Sequence, residues 1–343
     1  MLDYKEFQQF VENHLGECLA LELKDAKVEI HEVQKNNGLV LTGVTVLPVG
    51  QNIAPTIYLE EYYERYKNGR ALYDILGDIS TVAYTHMKPQ GFESVGMDFR
   101  NFDYVRDKVV MVAVNRERNE ELLRDVPHHY KEDLALIYKV LVSKEPTEMA
   151  TITIRNEHMD LWGVSESDLY ELAMNNTKEL LPVKVQTMKE LLFEQIIKDG
   201  LDPEVMEAAF SMADTREEMY VISNTARING AAAVMYEGVL SDIAEELGTD
   251  LYILPSSVHE CIAVSVEVAD VDELTEMVAS VNEEMVSNEE ILSDNVYYFN
   301  AKEKTLTLAN TSVEELGLKA AENGKSYGEN QTNTEATRPR RHR

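Results

Sequence analysis

The chain has 343 residues, with 32 Lys and Arg against 62 Asp and Glu, a formal net charge of -30 and 44% apolar side chains. That length and apolar share suit a folded body of one or two domains, and the charge argues against sequence-independent nucleic-acid binding by that body, which depends on Lys and Arg contacts to phosphate. Only Cys18 and Cys261 are present, which excludes a disulfide framework and a cysteine-based zinc cluster; no apolar run reaches the length of a bilayer span and the first residues lack the regions of a signal peptide, so the expected compartment is the cytoplasm, with no membrane contact.

Tyr4, Phe7, Val11, Leu15 and Leu19 recur at steps of three or four and predict an N-terminal helix with that face inward. Val28, Ile30 and Val33 then alternate with polar residues, Asn36-Asn37-Gly38 tolerates positive φ, and Leu39 to Leu47 is rich in β-branched side chains, which together predict a β-hairpin. Residues 57–87 have helical spacing interrupted at Asn68-Gly69. Tyrosines 58, 62, 63, 66 and 73 in this region offer either a binding face or, more simply, an amphipathic core edge.

Strands are expected at Val109–Val114, Leu134–Val142 and Thr151–Glu157, with a domain boundary near Asp103–Asp107. The expected organisation is an N-terminal α+β lobe over 1–105, a C-terminal α+β lobe over 106–318 and a disordered basic tail over 319–343. Ser165, with Asp168 three positions on, predicts a helix start. Helices are also expected over Met188–Lys198 and Pro203–Phe210.

The next part reads as Tyr220–Ser223 and Ala231–Tyr236 as strands, a helix from Val239 to Leu247 ended by Gly248, and then strands at Leu251–Leu254 and Ile262–Val268. Asp270 caps a helix whose predicted core face is Val271, Leu274, Met277, Val278, Val281 and Met285, with Glu273 at the capping-box position. A shift of about thirty-two residues aligns the two halves of this part, so a duplicated ββα unit is a candidate. Val296–Phe299 and Thr305–Leu308 are predicted to close the layer as a hairpin. The fold class is therefore α+β, with mixed, mostly antiparallel sheets and packed helices.

From Arg227 to Lys302 no Lys or Arg intervenes, yet the interval holds sixteen Asp and Glu residues. Such a surface attracts a basic partner through forces that salt weakens. The leading expectation is accordingly a non-enzymatic protein that engages a basic protein partner.

The densest group of reactive side chains is Leu254-Pro-Ser-Ser-Val-His-Glu-Cys261. If Ser257 and His259 share an extended run, period-two geometry puts a nucleophile and a base on one face, which defines an alternative reading as a hydrolase. The turn reading competes with it, since Pro-Ser-Ser suits a turn between strands and no Gly-x-Ser-x-Gly elbow is present. Ser256 from this segment and Asn224, Arg227 and Asn229 from Ser223-Asn-Thr-Ala-Arg-Ile-Asn-Gly230 are candidate ligand contacts, with Arg227 as an anion holder. If the duplicated alignment holds, the two loops flank one cleft.

No cofactor and no metal is expected: phosphate-cradling glycine loops and His-Glu-x-x-His are absent, and Asp270-x-Asp272 lacks the later ligands and glycine of a calcium loop. The end of the chain, Arg338-Pro-Arg-Arg-His-Arg343, would allow a weak nucleic-acid contact that the body does not.

Three segments together, Asp160-Leu-Trp-Gly-Val-Ser-Glu-Ser-Asp-Leu-Tyr170, Tyr220-Val-Ile-Ser-Asn-Thr with Asn229-Gly-Ala-Ala-Ala, and Tyr252-Ile-Leu-Pro-Ser-Ser-Val-His-Glu260, resemble an uncharacterised bacterial family known as domain of unknown function five-six-eight-eight. The resemblance covers the body to about residue 318. It implies a bacterial, intracellular protein and brings no established activity, cofactor or catalytic residue.

Overall fold

Asp3 accepts a hydrogen bond from the Glu6 N–H, and Glu6 reaches back to the Asp3 N–H; this closed capping box starts α1 (Tyr4–Cys18). The predicted face holds, with Phe7, Val11 and Leu15 fully buried. These coordinates are a computed structural model, which describes residues 1–50, 54–86, 99–145, 148–198, 200, 219–268 and 270–309. The helix expected over Pro203–Phe210 and the basic tail lie outside the described residues.

The predicted hairpin is β1 (Lys27–Gln34) and β2 (Val40–Leu47), joined by a turn in which Asn37 and Gly38 take φ of 56° and 71°. A third antiparallel strand, β3 (Thr56–Tyr58), opens the segment expected to be helical throughout. It is followed by α2 (Glu60–Lys67) and α3 (Leu72–His86), which break where Asn68-Gly69 signalled. One apolar cluster seals α1, α2 and α3 onto this three-stranded sheet. Most of the tyrosines belong to it: Tyr62 is buried, and Tyr63 and Tyr66 contact the rings of Tyr4 and Phe7.

After the short α4 (Phe102–Val105), the second sheet is built on β6 (Leu134–Glu145). One edge of β6 pairs with β4 (Val109–Asn115). The other takes β5 (His128–Lys131) on its first half and β7 (Glu148–Thr153) on its second. Between β4 and β5 runs α5 (Glu120–Asp125). The strand expected to continue to Glu157 instead stops at Thr153, because α6 (Asn156–Trp162) begins there. Ser165 caps α7 (Glu166–Leu180) through a closed capping box with Asp168, as read from the sequence. Thr177 of α7 accepts from the Met111 N–H at 3.0 Å and so satisfies a donor on the outer edge of β4.

The third sheet has the order β13-β12-β10-β11-β9-β8, from β8 (Val183–Thr187), β9 (Tyr220–Asn224), β10 (Leu251–Ser257), β11 (Glu260–Ser265), β12 (Tyr297–Asn300) and β13 (Thr305–Leu308). Three helices accompany it: α8 (Met188–Lys198), α9 (Val239–Leu247) ended by left-handed Gly248, and α10 (Val271–Met285). Every strand pairing among the described residues is antiparallel. The class is α+β.

Two expectations fail here for identifiable reasons. Ala231–Tyr236 is not a strand but part of a 3-10 helix over Gly230–Met235, begun by left-handed Asn229, and its small side chains bury against β9, β4 and β11. The first half of the supposed duplicated ββα unit therefore lacks its second strand. On α10, Leu274 and Val278 are buried as predicted, but the buried line continues through Asn282, which donates to Ser293 O and Asp294 Oδ1. Met277, Val281 and Met285 are left exposed, and Asp270 caps through the Asp272 N–H rather than by a box with Glu273.

The largest apolar cluster joins one face of the second sheet to the third, with the 3-10 helix and α7 within it. The opposite face of the second sheet carries two smaller clusters, one with Val112, Val114, Ala135 and Ile137 and one with Val110 and Leu141. The side chain that separates them is Lys139.

Candidate functional site

β9 and β11 run antiparallel with Ile222 opposite Cys261, so the loop after β9 and the turn before β11 meet at one end of the sheet. Their fit is tight. A Cβ on Gly230 would stand 2.3 Å from Ser223 Oγ, 2.6 Å from Asn224 N and 2.6 Å from His259 O, so only glycine fits without movement. Ser223 Oγ donates to His259 O at 2.7 Å, and the Ala231 N–H donates to Val258 O at 3.2 Å.

β10 ends at Ser257, and Val258 and His259 form the turn to β11, so the extended run on which a Ser257–His259 pairing was expected is broken. Ser257 Oγ accepts from the His259 backbone N–H at 3.1 Å. The imidazole has other partners: the Asn229 N–H donates to Nδ1 at 3.0 Å, which leaves the ring proton on Nε2 to donate to Glu290 Oε1 at 3.3 Å. Glu290 also accepts from Ser287 Oγ at 2.9 Å. Hydroxyl and ring are thus held in one turn but not to each other.

Of the other expected contacts, Asn224 serves its own loop, accepting from the Ala226 N–H and donating to Ile228 O. Arg227, at φ 55°, turns to the flank, where it donates to Gln186 at 2.6 Å and Glu194 at 2.7 Å. Hydrogen bonds from Gln186 and Lys184 hold the Glu194 carboxyl below its usual range. Ser256 is half-buried on β10. Burial and Glu260 push the Cys261 thiol up to about 12, as suits a core side chain rather than a nucleophile. Among the described residues no cluster of three or more His, Cys, Asp or Glu is placed to hold a metal ion.

Asn229 and His259 line a cleft of about 480 Å³ where all three sheets meet. The tip of the β1–β2 hairpin closes one side: Asn36 donates to Glu289 O at 2.7 Å, and Asn37 donates to Asn288 O and Ile291 O, each at 2.7 Å. Lys35 lies over the Tyr58 ring at 4.4 Å on the same wall. The floor is the outer face of the second sheet, with Lys139 on β6 directly opposite Thr153 on β7. Burial first, and then the charge of Lys35, push the Lys139 ammonium down to about 8.

Lys35 and Lys139 are the residues that sequence reasoning missed. A signal for Lys139 was available, since it is the sole charged residue in the run Leu134 to Val142. Nothing local marked Lys35, whose position depends on the docking of the hairpin.

An antiparallel α+β protein with a cleft at a three-sheet junction is thus the class that fold and site define. The model of the family described as Family of unknown function (DUF5688) matches residues 4–301, and the chain belongs to that family. No curated protein and no solved structure matches the chain.

Proposed function

We propose that the protein is a binding protein whose helix α10 receives a basic, amphipathic helical segment of a partner protein. The observation that carries this reading is an apolar row, Met277, Val281 and Met285 at 56%, 39% and 80% exposure, set at steps of four on a helix without a single Lys or Arg. Glu273 and Glu284 stand one turn from Met277 and Val281, and Glu276 lies further round the exposed side. Glu283 and Glu284 in the last turn face the negative end of the helix dipole, an arrangement that nearby positive charge would relieve. Flexible methionine side chains suit such a docking surface. The long interval without basic residues supplies the charge complementarity. A reducing, cytoplasmic setting fits two free thiols, and no helix among the described residues is long and apolar enough to cross a membrane.

The test uses a synthetic amphipathic Leu/Lys helix as probe, beside a scrambled peptide of the same composition, with the full chain and fluorescence anisotropy at low and moderate salt. The amphipathic peptide should bind more tightly than the scrambled one, with an affinity that falls as salt rises. Met277→Ser/Val281→Ser/Met285→Ser should weaken it at least about tenfold, given the apolar area removed from the contact. Equal binding of both peptides, or an unchanged affinity in the triple variant, would overturn the reading.

A further inference from the structure

Lys139 occupies a position on β6 where the pleat places apolar residues on the same face along the strand and across the β4 pairing, Ala135 and Ile137 before it, Leu141 after it and Val110 opposite, with polar Thr153 across the β7 pairing. A lysine there costs stability unless its charge finds a partner. Among the described residues its ammonium makes no hydrogen bond and no ion pair, and the charge that acts on it most is another cation, Lys35. In a chain of net charge -30 the cleft stands apart, because its two lysines match its two carboxylates in number.

The two carboxylates that also line the cleft, Glu289 and Glu290, form no ion pair with either lysine among the described residues. The Glu290 carboxylate is turned to His259 and Ser287 instead. On the same wall Asn36 Oδ1 is buried without a donor. The cleft thus holds two ammonium groups that no carboxylate pairs with among the described residues, with the Thr153 hydroxyl beside Lys139 as a neutral donor. Its volume, about 480 Å³, is that of a small-molecule site.

We infer that this cleft binds a small metabolite through an oxyanion group, a carboxylate or a phosphate, held between the ammonium groups of Lys139 and Lys35. The aromatic face of Tyr58, which already supports Lys35, would flank the remainder of the molecule. This site is separate from α10, and its occupancy does not depend on peptide binding there.

Titration calorimetry on the full chain, with citrate and pyrophosphate as probes for the two oxyanion types, tests the inference. At least one probe should bind at millimolar concentration or better, and the tighter of the two identifies the head group. Lys139→Met, which keeps the side-chain length and suits the apolar face, should weaken binding at least about tenfold while circular dichroism shows the fold retained. Lys35→Gln should weaken it less. Lys5→Met, which removes the same charge from the exposed side of α1, should leave it unchanged. Failure of both probes to bind, or affinity equal in Lys139→Met and the parent chain, would overturn the inference. Equal losses in Lys139→Met and Lys5→Met would do so too, because they would reduce the effect to net charge.

Discussion

Lys139 concentrates a conflict between stability and chemistry in one side chain. Its ordinary pKa is 10.5, and burial beside Lys35 brings it to about 8, so the unfolded chain holds this proton more tightly than the folded one. Below about pH 8 both states are protonated and the full cost of the partly buried charge is present; from about 8 to 10.5 the folded state releases the proton first and the cost fades. Lys139→Met should therefore stabilise the protein most below pH 8, with an advantage that shrinks toward pH 10.5, as read by urea unfolding. The charged groups that face it across the cleft, Lys35, Glu289 and Glu290, are the same in both proteins, so a constant difference over that window would contradict the assignment. Gly230 makes an opposite case, a residue whose value lies in what it lacks. Gly230→Ala should cost about 3 kcal/mol in the same assay, because two of the three close atoms are backbone and cannot swing away.

At the scale of elements, local signals were legible where one physical cause dominated. The face of α1, the break at Asn68-Gly69, the Ser165 cap and the glycine stop of α9 follow from spacing, φ preference and capping, which act over a few residues. The 3-10 helix was not legible, because alanines fit a strand or a tight helix alike, and the choice was made by contacts with β4 and β11 far along the chain. On α10 hydrophobicity alone misassigned three positions, since a polar residue, Asn282, took the buried place by bonding Ser293 and Asp294. The site was half legible. Both motif loops stood out in the sequence by composition, but their meeting was argued there from a duplicated unit that the 3-10 helix removes, and it is the pairing of β9 with β11 that brings them together. The lysines could not be read, because what makes them a pair is the arrival of the hairpin tip over the second sheet.

At the scale of the molecule, that arrival rests on few bonds. Asn37 donates twice to the 288–291 segment and accepts from Asn119 Nδ2 at 3.0 Å. Asn37→Gly would keep the left-handed turn while it removes the amide. Hydrogen exchange should then quicken at the hairpin tip and stay unchanged in the α1–α3 core. A tip as protected as in the parent chain would show that something else holds it.

The chemistry of that fastening has a further consequence. Carboxylates outnumber cations on both sides of it, so ionic strength and pH alter how strongly the two parts repel each other. Most of the bonds that join them among the described residues are amide to carbonyl or amide to amide, which neither titrate nor screen as charges do; Gln34 reaches a carboxylate, that of Glu121, at a long 3.4 Å. The hold of the hairpin tip on the cleft is thereby set chiefly by uncharged groups. Changes in the medium will tune how well an anion is held there more than they loosen the tip that walls it in.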